Sequence, residues 1–134
     1  LSKKIKIIYC IGETLRQYKD KKTKIILKRQ LKSIEQNMSS VMKNINNIII
    51  AYEPVWAIGT GLVPTQSELG YIFNFIRSNL KNKASMLSRV KLLYGGSVSP
   101  DNSKSLLCID NIDGLLVGGS SLDSKKFIDI CSTI

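Results

Sequence analysis

A glutamate followed by a proline at the end of an apolar run is the strongest chemical signal in the sequence. Glu53 follows Ile48–Ile50 closely and precedes Pro54. Because proline disfavours helical geometry in the preceding residue, Glu53 should end a strand that gives its carboxylate a rigid support. Gly59 and Gly61 follow in a loop, where they can take positive φ or turn backbone amides towards an anion. This combination predicts a general base beside a mobile, phosphate-binding lid, whereas Glu-Pro alone also fits an ordinary strand-to-loop junction.

Four sequence strings then point to one enzyme family. Residues 51–61, Ala-Tyr-Glu-Pro-Val-Trp-Ala-Ile-Gly-Thr-Gly, closely resemble the catalytic-loop motif of triosephosphate isomerases. The other strings keep the family's order: Cys-Ile-Gly-Glu at 10–13, Tyr-Gly-Gly-Ser-Val at 94–98 and Gly-Leu-Leu-Val-Gly-Gly-Ser-Ser-Leu at 114–122. The resemblance covers essentially the whole chain. It implies the family's C-terminal half, from about its fifth strand to the C-terminus.

The resemblance implies an intramolecular aldose-ketose isomerase that works without a cofactor. It would interconvert dihydroxyacetone phosphate and glyceraldehyde 3-phosphate through an enediol, in glycolysis and gluconeogenesis, with Glu53 as the catalytic base. The implied phosphate ligands are the amides of Gly59, Ser97, Gly118 and Gly119, with help from the Ser97 hydroxyl; tight turns alone would also explain the two glycine pairs. The implied lid and clamp residues are Trp56, Ile58, Gly61, Tyr94 and Leu116.

The chain departs from the family pattern in three ways. Pro64 stands at the second lid hinge and offers no amide to Tyr94, and Lys91 replaces a frequent Arg. The sequence contains no histidine. The family's electrophilic His, its substrate-binding Asn and Lys, and its dimer-forming loop belong to the half without a counterpart here. We therefore expect a homodimer for the full-length enzyme and no more than trace activity for this chain alone.

Composition fits one domain, residues 1–134. The sequence is 43% hydrophobic and has neither a membrane-spanning run nor a signal-peptide core at its start, which predicts a soluble, cytoplasmic protein without membrane contacts. The net charge of +10 comes mostly from residues 1–50, with twelve Lys or Arg against three acidic residues. These cations alternate with apolar helical positions, so a solvated helix face explains them better than a nucleic-acid groove, which charge alone would support.

The cysteines do not indicate a metal site or a disulfide. Cys10, Cys108 and Cys131 are an odd number without Cys-x-x-Cys spacing and without histidine partners. We expect no metal and three reduced thiols. Cys10 should be a small core residue.

Four strand-helix units follow from the hydrophobic pattern. The predicted strands are 4–11, 48–52, 89–94 and 113–117. A basic connector should lead to a helix whose apolar stripe runs from Leu27 to Met42. Further helices are expected after Thr65, whose spacing to Glu68 is that of a capping box, over 101–108, and over 123–133, with Phe127, Ile128, Ile130 and Cys131 inward.

The spacing of these units predicts parallel strands with glycines after every strand end. This pattern is typical of a (β/α)8 barrel, whose working residues lie at the carboxyl ends of the strands, and 134 residues supply about half of one. An open half-barrel has two free strand edges and an uncovered inner face. An alternative function is therefore a non-catalytic module that completes a barrel with a partner or a second copy.

Overall fold

Four parallel strands form a single sheet in this computed structural model, which describes residues 5–133 except for the side chains at 35 and 38. The strands are β1 (Ile7–Ile11), β2 (Ile48–Tyr52), β3 (Lys91–Tyr94) and β4 (Gly114–Leu115). They lie side by side in chain order, and every neighbouring pair is parallel. The predicted parallel arrangement is confirmed, and the (β/α)8 closure remains a prediction.

The predicted strand boundaries are accurate for β2 and too wide elsewhere. β3 begins at Lys91 because Ser85–Arg89 form a 3-10 helix, and β4 has only two residues. For β1, Lys4 lies outside the described residues, and Ile5 and Lys6 precede the strand. Apolar composition marks a strand, but ladder pairing with a neighbour decides where it ends.

Six α-helices connect and flank the strands in the described part of the chain. They are α1 (Leu15–Lys19), α2 (Thr23–Gln36), α3 (Met38–Lys43), α4 (Gln66–Lys83), α5 (Pro100–Leu107) and α6 (Ser124–Cys131). None of the helices within residues 5–133 is long and apolar enough to cross a bilayer.

Two predictions about the first helices are wrong. The expected basic connector contains α1, which Thr14 and Gln17 cap reciprocally. The same capping-box spacing that identified the start of α4 could have revealed it. The expected single helix up to Met42 is interrupted at Asn37, whose side chain donates to the Ser33 carbonyl. Asparagine competes in this way with the helical hydrogen bonds.

The capping box of α4 is confirmed. The Thr65 hydroxyl accepts from the Glu68 amide at 3.2 Å, and the Glu68 carboxylate accepts from the Thr65 amide at 2.8 Å. The apolar stripe of α4 is buried, with Leu69, Phe73 and Leu80 inaccessible to solvent. This helix therefore starts directly after the lid and is anchored to the core.

The core is one cluster of buried side chains from strands β1 to β3 and helices α2 to α6. Ile50 of β2 packs there with Leu27 and Leu31 of α2 and with the α4 stripe. Apolar surface is left uncovered at both ends of the chain. Ile7 and Ile8 of β1 are 39% and 44% exposed.

Burial was predicted wrongly for two groups of residues. All three cysteines are free, as expected, but Cys10 is largely exposed because β1 is an edge strand of the sheet. In α6 only Ile130 of the predicted inward residues is buried. Phe127 and Ile128 are 41% and 62% exposed, and Cys131 is also exposed, since α6 packs mainly on α5 and the turn before it.

Asp113 joins the starts of β3 and β4. Its carboxylate accepts from the Leu92 amide and from Arg77 Nη2, both at 2.8 Å, and from Lys91 Nζ at 3.2 Å. Arg77 Nη1 also donates to the carbonyls of Ser88 and Val90. Burial alone would raise the pKa of Asp113, but the hydrogen bonds from Leu92, Lys91 and Arg77 outweigh it and lower the pKa below its ordinary value.

We predict that Asp113→Ala lowers the free energy of unfolding by about 1–3 kcal/mol at pH 7, because Arg77 and the Leu92 amide lose a charged acceptor. Lys91→Ala is the matched control. The Lys91 side chain is 67% exposed, so its removal should cost less than about 1 kcal/mol. Urea unfolding of the protein that carries this sequence measures both changes.

The effect of Asp113→Ala should depend on pH. A carboxylate whose pKa is lower in the folded state stabilises the protein above its unfolded value, here about 3.8, and loses that contribution as the pH falls through the folded value. The difference between the native protein and the variant should therefore shrink between pH 5 and pH 2. An equal difference at both ends would contradict the proposed charge interaction.

Candidate active site

The carboxyl ends of the strands are aligned in one row. Ile11 pairs with Tyr52, Tyr52 with Tyr94, and Tyr94 with Leu115. The first residue after β2, β3 and β4 then donates its backbone amide to the carbonyl of the last residue of the preceding strand. This set of bonds joins Glu53 to Ile11 at 2.8 Å, Gly95 to Tyr52 at 2.9 Å and Leu116 to Tyr94 at 2.8 Å.

Glu53 is half-buried and lies against the backbone of Gly95. A Cβ atom at position 95 would be 2.7 Å from Glu53 Cγ and 2.8 Å from Oε1, closer than side-chain atoms approach each other. Only glycine therefore leaves room for the carboxylate in this position. At position 12 a Cβ would meet the Glu53 carbonyl itself, so Gly12 lets β1 and β2 end side by side.

The Cys10 thiol faces Glu53. Burial raises the pKa of Cys10, and the charge of the Glu53 carboxylate and a hydrogen bond to it raise it further. The thiol therefore stays protonated at neutral pH, which makes a thiolate nucleophile at this position unfavourable.

The loop between Glu53 and Pro64 forms the lid. It begins with a 3-10 turn at Val55–Ala57, and Gly59 and Gly61 have φ values of 67° and 78°. This left-handed geometry is strained for other L-residues, so both glycines are needed for the shape of the loop. No neighbouring atom lies within 4 Å of a Cβ built at either position.

Ser97 fastens the lid to the loop after β3. Its hydroxyl donates to the Ala57 carbonyl at 2.6 Å and accepts from the Gly61 amide at 2.9 Å. Because the single hydroxyl proton is used by Ala57, it is not free for a phosphate in this arrangement, which disagrees with the suggested help from the Ser97 hydroxyl. The Ser97 amide is a separate donor.

One cavity of about 470 Å³ brings together most of the site residues named from the sequence. Those that line it are Glu53, Ile58, Gly59, Gly61, Ser97, Leu116, Gly118 and Gly119. Trp56 and Tyr94 are not part of its lining. Ile58 is 48% exposed and Leu116 half-buried, so both apolar side chains lie at an accessible wall.

Three residues that sequence reasoning missed also line this cavity. Lys126, in the first turn of α6, is the only lysine or arginine among its described lining residues. Asn102 accepts from the Ser99 amide and donates to the Ser97 carbonyl, and the Ser120 hydroxyl donates to the Val98 carbonyl. The sequence carried no signal for Lys126, because a lysine in a helix is usually solvated.

Glu13 is a buried carboxylate beneath the lid, with no accessible surface. It accepts from the Tyr52 hydroxyl at 3.1 and 3.2 Å and from Trp56 Nε1 at 3.1 Å. Burial, followed by the charge of Glu13, raises the pKa of Tyr52. The sequence analysis quoted Glu13 only within a motif, although a glutamate two residues after an apolar strand could have signalled a buried hydrogen-bond centre.

The Tyr94 hydroxyl is buried and has no hydrogen-bond partner among residues 5–133. Burial raises the pKa of Tyr94 to about 12. Pro64, also buried, has no amide hydrogen to offer, in line with the departure noted in the sequence. Gly96 lies so close to this hydroxyl that a Cβ there would overlap it.

We predict opposite outcomes for removal of the two tyrosine hydroxyls. Tyr52→Phe should lower the free energy of unfolding by about 1–3 kcal/mol, because the buried Glu13 carboxylate loses a donor. Tyr94→Phe should stay within about 0.5 kcal/mol of the native protein or exceed it, because it removes an unpaired polar atom. Urea unfolding of both variants tests this. A larger loss for Tyr94→Phe than for Tyr52→Phe would contradict the assigned hydrogen bonds.

Comparison with known proteins gives consistent matches along the chain. A family model described as triosephosphate isomerase matches residues 1–134. Curated relatives with that name include those of Thermodesulfovibrio yellowstonii, 46% identical over 94% of this chain, and Mycoplasmoides gallisepticum, 45% identical over 97%. The aligned regions are 50% and 52% of those two proteins, so this chain spans about half the length of the relatives it matches. The chain belongs to the triosephosphate isomerase family.

Proposed function

We propose that this chain supplies the base and the phosphate-binding side of a triosephosphate isomerase active site. The observation that carries the proposal is that Glu53 shares one cavity with Gly59, Ser97, Gly118 and Gly119. The reaction is the interconversion of dihydroxyacetone phosphate and glyceraldehyde 3-phosphate. It needs no redox group, because one proton moves between adjacent carbons.

Glu53 acts as the base in this proposal. Its carboxylate removes a proton from the carbon beside the carbonyl and returns it to the neighbouring carbon of the enediol. Ile58 and Leu116 form apolar walls of the same cavity, so a closed lid would remove water from the carboxylate and increase its basicity. The row of strand-end hydrogen bonds keeps the base in place during both transfers.

The substrate phosphate is assigned to the glycine-rich part of the same cavity. No atom lies within 4 Å of a Cβ built at Gly118 or Gly119, so no packing contact of the described chain explains two glycines there. Their lack of side chains leaves space for an oxyanion to reach backbone amides, which are fixed before a ligand arrives. Lys126 adds a positive charge to the lining of the same cavity.

The remaining chemistry requires groups from outside this sequence. An enediolate needs a donor that polarises the carbonyl, and the sequence contains no histidine. By the family resemblance, that His and the substrate-binding Asn and Lys come from the other half of a (β/α)8 domain, to which residues 1–134 contribute four strand-helix units. A homodimer and a cytoplasmic location are proposals from the same resemblance.

We assign the chain to the C-terminal half of this barrel. In such barrels the phosphate site is typically built from the loops after the seventh and eighth strands. Here the proposed phosphate wall follows β3 and β4, the last two strands of the chain. Coding DNA upstream of Leu1 should therefore encode four further strand-helix units with the missing His. Four such units downstream of Ile134 would instead make this the N-terminal half.

The second candidate function is a module that completes a barrel without catalysis. It is supported by the exposed apolar residues of the edge strand β1. We expect the isolated 134-residue chain to show no more than trace isomerase activity, and an added partner half to restore it. Size-exclusion chromatography with and without that half shows whether a complex forms, and an isomerase assay of the same samples shows whether it is active. A stable complex that remains inactive favours the module. Normal family turnover by the chain alone contradicts the proposed half site.

Glu53→Gln tests the proposed base. The substitution keeps the size of the side chain but cannot accept the proton, so kcat should fall by a factor of about 10²–10⁴, with a KM within a few-fold of the native value. The measurement is interconversion of the two triose phosphates by the protein that carries this chain. Asp129→Asn, an exposed carboxylate on α6, is the control and should retain native rates. A Glu53→Gln variant with native kcat would exclude Glu53 as the base.

A further inference from the structure

Tyr18 of α1 contacts the lid from outside the cavity. Its ring stacks against the indole of Trp56, with ring centroids 4.5 Å apart and an angle of 32° between the planes. Its hydroxyl donates to Glu68 Oε1 at 2.6 Å. One half-buried side chain therefore connects a residue of the lid with the helix that follows the lid.

These contacts secure both ends of the lid. Trp56 belongs to the turn that begins the loop. Glu68 Oε2 accepts from the amide and hydroxyl of Thr65, the residue directly after Pro64. Tyr18 thus bridges segments that the lid separates, and it lies 50 residues before Glu68 in the sequence.

Trp56 is held in two directions. Glu13 accepts from its Nε1, which fixes the edge of the indole, while Tyr18 covers its face. In the same structure Ser97 bonds both Ala57 and Gly61. The stack of Trp56 on Tyr18 therefore occurs together with the hydrogen bonds that hold the lid to Ser97. A rotation of the loop within residues 55–57 would carry the indole off the tyrosine ring.

We propose that Tyr18 is a positioning residue that favours the Ser97-bound arrangement of the lid. The inference deepens the proposed function, on which its kinetic part rests. A stacked aromatic pair is a modest interaction, and its loss corresponds to about a two- to ten-fold change in an equilibrium. The groups that bond to Glu13 and Ser97 are unchanged, so the Ser97-bound arrangement can still form. Without the Tyr18 ring, the lid should leave that arrangement more often.

The experiment compares Tyr18→Leu, which removes the ring, with Tyr18→Phe, which keeps the ring and removes only the bond to Glu68. Lys19→Ala, an exposed neighbour on α1, is the control. The protein that carries this chain is labelled with 5-fluorotryptophan, and the Trp56 resonance is assigned by its absence in Trp56→Phe. Fluorine relaxation dispersion then gives the ratio of displaced to bound lid.

Tyr18→Leu should raise that ratio about two- to ten-fold, whereas Tyr18→Phe should stay closer to the native value and Lys19→Ala should equal it. With dihydroxyacetone phosphate as substrate, KM should rise by a similar factor in Tyr18→Leu, with kcat within two-fold. If Tyr18→Leu does not fold, Tyr18→Met replaces it.

If the ratio of displaced to bound lid in Tyr18→Leu lies within about 1.5-fold of the native value, the inference is overturned. This holds even if the melting temperature falls, because a residue with only a structural role changes stability alone. The fluorine measurement does not require turnover. Absence of isomerase activity in the native protein would therefore reject the proposed function and leave the test of Tyr18 intact.

Discussion

The parallel register of β1, β2 and β3 is the constraint on which the site depends. It sets Ile11, Tyr52 and Tyr94 directly beside one another, so their carbonyls receive the amides of the residues that follow the neighbouring strands. In a parallel ladder a one-residue slip would turn every side chain to the other face. Glu53, Gly95 and Leu116 would then no longer form one row. The position of Glu53 is thus a consequence of backbone pairing, and the buried side chains of β2 fix that pairing.

The glycines around the site answer different physical requirements. Gly12, Gly95 and Gly96 are needed because other atoms occupy the place of a side chain, among them the Glu53 carboxylate and the Tyr94 hydroxyl. Gly59 and Gly61 are needed for positive φ in the lid. Gly118 and Gly119 face open space, which is the arrangement expected where a ligand and not the protein fills the volume. One residue type therefore makes room for Glu53, shapes the lid and leaves open space in the cavity.

The buried polar groups near the lid differ in whether they have a hydrogen-bond partner in the described chain. On one side, Glu13 gathers donors from Tyr52 and Trp56, and a buried carboxylate in a low-dielectric setting holds such donors strongly. On the other side, the Tyr94 hydroxyl lies unpaired in the described chain next to a lid whose second hinge carries Pro64. The anchoring in this chain therefore falls on Ser97 and on the Trp56 contacts.

The sequence by itself determined the parallel strand-helix order, the extent of β2, the capping box of α4 and, through its resemblance to a known family, most of the site residues that line the cavity. It did so because proline, glycine and capping residues influence the backbone of adjacent residues, and because the spacing of apolar residues follows from helix and strand geometry. It did not determine the break at Asn37 or the exposure of Cys10, Phe127 and Ile128. Whether an apolar face is covered depends on which elements pack against it, and that is decided by the whole sheet. The same holds for Glu13 and Tyr18: their partners lie 38 to 50 residues away in the sequence. No local spacing encodes such contacts, and only the tertiary structure creates them.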